Sequence, residues 1–119
     1  MISHFFTRPL LRILEFFNGV RPPLRFSYER GESMPVQFSR TRLLLGAEAV
    51  RTLQQARVIV FGVGGVGGFA VEALARAGVG TIDLVDNDTV CLTNINRQII
   101  AIHQSVGRYK TEVLAERIH

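Results

Sequence analysis

The chain has 119 residues, 47% of them hydrophobic, which is enough to fill the core of one domain or part of one and excludes wholesale disorder. A net charge of +4 and a pI near 10.2 favour an anionic partner such as a nucleotide or RNA and say nothing about fold. A single cysteine, Cys91, excludes a disulfide framework and a CxxC metal pair and suits a reducing cytoplasm. As a free thiol it is expected to be a small buried hydrophobe rather than a nucleophile.

In chain order, residues 1–20 mix Phe5, Phe6, Leu10, Leu11, Ile13, Leu14, Phe16 and Phe17 with Arg8, Pro9, Arg12 and Glu15. No apolar run reaches the roughly 20 residues of a spanning helix, and no small-residue cleavage site follows, so stable membrane insertion and a signal peptide are not expected. A weak amphipathic surface helix over 9–17 fits the pattern. Residues 1–33 hold five of the eight Phe and three of the four Pro, without a period that a core could use. They are read as an N-terminal extension. Upstream sequence, with Met34 as the true start, is favoured over a functional extension.

Arg42 to Leu53 places Leu43, Leu44, Ala47, Val50 and Leu53 at helical spacings, although Gly46 weakens the early part. Arg57 to Phe61 is a β-branched run ending at glycine, which predicts a strand buried on both faces, as in a parallel sheet. Ala70 to Ala77 predicts a helix with Ala70, Ala73, Leu74 and Ala77 on one face, stopped by Gly78 and Gly80. Thr81 to Val85 is a second strand closing at Asp86, and a further helix runs from Val106 or Gly107 to Ile118. Strand, glycine loop, helix and strand make a βαβ unit, so the fold class is α/β, with a Rossmann-like nucleotide-binding core behind an N-terminal helix. Two parallel strands alone would leave an open edge, so a truncated parallel sheet is expected.

Gly62, Gly64 and Gly67 satisfy GxGxxG where the first of these strands hands over to the helix. Glycines allow the tight turn and let backbone N–H groups approach a phosphate at the positive end of the helix. Asp86, about 20 residues further on, matches the acidic residue that holds ribose hydroxyls. Glycines that serve only a turn are the plainer reading, which both flanking elements disfavour. These features leave NAD, FAD and ATP open.

The residues after Asp86 narrow the choice. Asp86-Asn87-Asp88-Thr89-Val90 is followed by Asn94-Ile95-Asn96-Arg97-Gln98, and then by Lys110 on a helix. A dehydrogenase has little use for Asn, Arg and Lys beside its phosphates. Attack on an α-phosphate needs them, because charge builds on the phosphorus and on the departing pyrophosphate. A solvated loop and an ordinary helical lysine would account for Lys110 alone but not for the whole constellation.

Residues Gln37 to Ile118 resemble the ThiF/MoeB-like superfamily, which is related to ubiquitin-activating enzymes. The likeness is carried by Gln37-Phe38-Ser39-Arg40-Thr41, GVGGVGG at 62–68, EALARAGVG at 72–80, LVDNDTVCLTNINRQI at 84–99 and VGRYKTEVLAERI at 106–118. The QFSRT and VCLTNINRQI wording resembles the branch that dehydrates threonylcarbamoyladenosine in tRNA. The resemblance implies that residues 34–119 are the N-terminal part of an ATP-binding domain. In that domain the loop Gly62 to Gly67, Gly65 included, backs the phosphates and Asp86 binds the ribose. Asn94, Arg97 and Lys110 contact the triphosphate with Gln98 in support, and Arg40 reaches across a homodimer to the partner's ATP. Arg97, Lys110 and Arg40 are thus the implied catalytic cations, and Asp88 is expected to be a structural loop carboxylate.

The resemblance further implies ATP with Mg2+, a tRNA substrate and a cytoplasmic enzyme that cyclises its substrate by way of an adenylate. The alternatives are activation of a ubiquitin-like sulfur carrier, with a sulfur-transfer partner, a plain NAD-binding domain, and a non-catalytic fragment. Two departures stand out. Gly68 replaces a serine common in the branch, which loosens the helix start. The second aspartate that helps to hold Mg2+ falls on a strand beyond His119, so no metal ligand is assigned within the chain.

Overall fold

The structure, a computed structural model, describes Arg21, residues 23–27 and residues 35–119. The surface helix considered over 9–17, and Met34, lie outside the described residues. The elements are β1 (Leu24–Ser27), α1 (Ser39–Leu45), α2 (Ala47–Gln55), β2 (Arg57–Phe61), α3 (Gly65–Ala77), β3 (Thr81–Val85) and α4 (Lys110–Ile118), with short 3-10 turns before α1 and between β3 and α4. Among the described residues no helix is long and apolar enough to cross a membrane.

β2 and β3 pair in parallel, with Val58 opposite Ile82 and Val60 opposite Leu84. Parallel neighbours need a crossover, and α3 supplies it. Alternate residues of both strands turn to one side, where Ile82 and Leu84 pack with Val71, Ala75, Val79 and Leu114 in the main core. Each fully buried aliphatic side chain there contributes about 1.5–3 kcal/mol. The βαβ core therefore stands as expected.

Several local expectations are corrected. α3 starts at Gly65 rather than Ala70, and its buried residues are Gly68, Val71, Glu72 and Ala75, not the predicted alanine face. Alanine fits either side of a helix, so an alanine-rich segment encodes its phase weakly, and the larger Val71 decides it. The predicted helix over 42–53 is two helices. Gly46 closes α1 with φ 87° and ψ 163°, and its N–H donates to Arg42 O at 2.8 Å. Leu43 and Leu44 consequently stand 85% and 83% exposed, while Val50 on α2 is buried. β2 is only half-buried, with Phe61 exposed, because it lies at one end of the strand order β1-β3-β2.

β1 is a strand that the sequence reading does not contain. It pairs antiparallel with β3, setting Leu24 opposite Leu84 and Phe26 opposite Ile82, and so covers the edge of β3 that was expected to be open. Four residues with one inward aromatic are too short to show a period. Phe26 is buried, and its ring meets His119 edge-on with centroids 6.1 Å apart. On the opposite face Asp83, 1% exposed, accepts from Arg25 Nε at 3.0 Å and Arg57 Nε at 2.6 Å, one arginine from each neighbouring strand.

The helices are pinned by a second buried carboxylate. Glu72 on α3 accepts from Arg76 Nη2 at 2.6 Å and from Arg117 Nε on α4 at 2.7 Å. Burial opposes its charge, yet the hydrogen bonds from Arg76 and Arg117 hold the carboxyl below its ordinary value of 4.5. α4 begins at Lys110, later than predicted, because the residues before it are committed to the loop after β3. Gly107 N donates to Val90 O and Val90 N to Arg108 O, both at 2.8 Å.

Candidate nucleotide-binding site

The site grows from the end of β2. Gly62 N donates to Val85 O at 2.8 Å, and φ at Gly62 is 80°, which turns the chain sharply towards α3. A Cβ on Gly67 would lie 1.8 Å from Gly62 O, so only hydrogen fits where the helix's first turn passes the loop. A Cβ on Gly64 would meet Gln98 Nε2, and one on Gly65 would meet Arg97 O, each at 3.6 Å. The 94–98 turn is thereby seated against the loop. α3 has no side-chain cap at Gly64, and Gly68 N makes the first bond back to Gly64 O. The N–H groups of the first turn lack intrahelical partners and carry the positive end of the helix dipole, a cradle for phosphate.

Asp86 braces this cradle. Its Oδ2 accepts from Val63 N and its Oδ1 from Asp88 N, both at 2.8 Å. Asn94 and Gln98 are each 8% exposed. The Asn94 Oδ1 accepts from Cys91 N at 3.0 Å, and its carbonyl accepts from Arg97 N and Gln98 N, so this side chain shapes the turn. Gln98 Oε1 is buried and has no hydrogen-bond partner among the described residues. Among the described residues, exposed Arg97 is held through Nη1 alone, by Thr93 O at 2.9 Å and Asn96 Oδ1 at 3.0 Å. Lys110 is 6% exposed, with Nζ 2.8 Å from Asp88 Oδ2.

The structure thus joins the glycine loop, Asp86, Arg97 and Gln98 in one surface, with Lys110 tied on through Asp88. Arg40 lies exposed on α1 and is not linked to this group. Cys91 is a correction. It is exposed, not buried, because the bridge between Thr89 and Tyr109 turns Val90 inward and its successor outward. Sequence reasoning also missed the Asp88–Lys110 pair. Its only signal was the Asp-x-Asp spacing, which does not name a partner more than twenty residues away. Arg21 is another surprise. It stacks on Tyr109 at 3.6 Å to the ring centroid, while its N–H donates to Asn87 Oδ1 at 2.8 Å.

A family model described as "ThiF family" matches residues 38–119. The chain belongs to the ThiF family. Over 82 residues it is 54% identical to the tRNA threonylcarbamoyladenosine dehydratase of Bacillus subtilis (strain 168), covering 69% of this chain and 32% of that protein. It is 43% identical over 74 residues to the adenylyltransferase and sulfurtransferase UBA4 of Vanderwaltozyma polyspora, covering 62% of this chain and 17% of that one. Among solved structures, the Escherichia coli tRNA N6-threonylcarbamoyladenosine dehydratase in complex with ATP superposes with a TM-score of 0.72 and 46% identity, over 76% of this chain and 37% of that one. The chain spans about a third of the length of the curated dehydratases it matches. This ThiF-family chain is therefore an α/β unit with a Rossmann-like fold.

Proposed function

We propose that this chain is the nucleotide-binding part of an enzyme that uses ATP to adenylate a carboxylate, and that the whole protein cyclises threonylcarbamoyladenosine in tRNA by dehydration. The observation that carries the proposal is the uncapped start of α3 behind the Gly62–Gly67 turn, with Arg97 seated against the same loop. The names of the relatives above support the substrate.

The residues divide the work. First-turn N–H groups and the backbone of Gly62, Gly64, Gly65 and Gly67 receive the phosphates, and Asp86 receives the ribose hydroxyls with the lone pairs that Val63 and Asp88 leave unused. Arg97, held through one nitrogen only, turns its others to the triphosphate, and Lys110 adds a second cation. Asn94 keeps the turn that carries Arg97 in shape, and Gln98 supports that turn against Gly64. The substrate carboxylate attacks the α-phosphorus and pyrophosphate leaves with its charge answered by Arg97 and Lys110. A nucleophile of the same side chain then closes the ring and AMP departs, for a net loss of water.

ATP arrives with Mg2+, which neutralises phosphate charge when bound. Among the described residues no three His, Cys, Asp or Glu gather to hold a metal ion. Arg40 acts on a partner's nucleotide in a homodimer, and the exposed Leu43 and Leu44 beside it offer that partner an apolar surface. The setting is the cytoplasm.

A second reading, activation of a sulfur-carrier protein at its C-terminal carboxylate, is favoured by the UBA4 relative. The test is ATP–pyrophosphate exchange and cyclised-tRNA formation by the whole protein. Exchange that depends on tRNA, and falls about 100-fold or more in Arg97→Ala, is expected. Exchange that depends on a Gly-Gly carrier instead supports the second reading, and exchange unchanged in Arg97→Ala contradicts the site.

A further inference from the structure

Lys110 is the only lysine in the chain, against thirteen arginines. Its side chain is 7% exposed, and its ammonium lies 2.8 Å from Asp88 Oδ2. A second bond, from Lys110 N to Asp88 O at 3.0 Å, closes a ring between the same two residues. Asp88 N is in turn bound to Asp86 Oδ1, and Asp86 Oδ2 is bound to Val63 N inside the glycine loop. Loop, Asp86, Asp88 and ammonium therefore form one unbroken chain of hydrogen bonds. A lysine is a point charge on a flexible four-carbon stem, and a buried ammonium without a partner is strongly disfavoured. Asp88 answers both problems. Its carboxylate is 72% exposed, so the ion pair opens to solvent on the Asp88 side while the lysine stem stays buried.

We propose that Asp88 is a positioning residue that holds Lys110 in register with the glycine loop and serves the reaction only through that lysine, an inference that rests on the nucleotide role of Lys110 given above. Before the triphosphate binds, Asp88 neutralises the ammonium. When it binds, the ammonium is shared with the phosphates without a rearrangement of the backbone.

Because Lys110 is unique, amine acylation with acetic anhydride, read by peptide mass spectrometry, reports this one side chain with the α-amine as internal reference. In the full chain, Asp88→Asn is expected to raise Lys110 acetylation about tenfold, the scale set by a hydrogen bond to a charged group. Asp88→Glu is expected to restore most of the protection. Glu116→Gln, which breaks the neighbouring exposed pair with Arg108, leaves Lys110 at the wild-type rate and guards against general loosening of α4. In the whole protein, Asp88→Asn lowers kcat of ATP–pyrophosphate exchange about tenfold with little change in the KM for ATP. In a Lys110→Gln background the same change has no further effect. Unchanged Lys110 acetylation in Asp88→Asn, or additive loss in the double variant, overturns the proposal. If wild-type exchange is absent while Asp88→Asn still exposes Lys110, the adenylation reading fails and the positioning of Lys110 stands.

Discussion

A single methyl group at Gly67 tests how tightly the phosphate cradle is built. Its carbon would fall 1.8 Å from a backbone carbonyl that cannot move without opening the turn at Gly62, whereas a methyl at Gly64 would meet a side-chain amide at 3.6 Å. Gly67→Ala is therefore expected to destabilise the fold by about 3 kcal/mol and to remove nucleotide binding, and Gly64→Ala to cost under about 1 kcal/mol, in urea unfolding paired with nucleotide titration. These glycines were legible in the sequence because close approach leaves no other residue type. Arg97 and Gln98 were picked out by the polar run after Asp86 and by the family resemblance, not by any local mark that seats the 94–98 turn against the glycine loop. The partner of Lys110 was not. An ion pair between residues far apart in sequence depends on where two loops are laid, and Asp88 carries no local mark of it. Cys91 was misread because burial at a loop position follows the side to which one bridge turns it, not the residue's hydrophobicity.

Among the elements, β2, β3 and the end of α3 could be read directly, since β-branched runs and Gly78 mark them plainly. The phase of α3, the break at Gly46 and the existence of β1 could not, because alanines fit any face, one glycine can sit inside or between helices, and four residues hold no period. The α3–α4 contact has a measurable signature. The folded Glu72 carboxyl lies below 4.5, its ordinary value, so its pairing with Arg76 and Arg117 stabilises the fold above that pH and is lost as the pH falls through the lower folded value. Glu72→Gln is expected to lower unfolding free energy at pH 7 by about 1–3 kcal/mol and to flatten the decline of stability below about pH 4.5. An unchanged acid limb in urea titrations from pH 7 to pH 3 would show that the carboxylate does not tie the helices.

At the scale of the molecule, β3 is the organising strand, flanked in parallel by β2 and antiparallel by β1, with the glycine loop and Asp86 at the carboxyl ends of β2 and β3. The Rossmann-like core was legible from the spacing of strand, glycine loop and helix, and ThiF-family membership from a resemblance carried by motifs, nearly all of them within residues 38–119. The third strand lies outside that match, in the segment that showed no period. The glycine loop is proposed to be an ATP site and not a dinucleotide site, and linkage makes the difference directly measurable, because a ligand that binds only the folded state raises its stability. Thermal unfolding of the full chain with equal concentrations of ATP, AMP or NAD is the most direct measurement. A rise in midpoint with ATP and AMP that NAD does not match, and that Arg97→Ala diminishes, is the predicted result. An equal or larger rise with NAD, unaffected by Arg97→Ala, would contradict it.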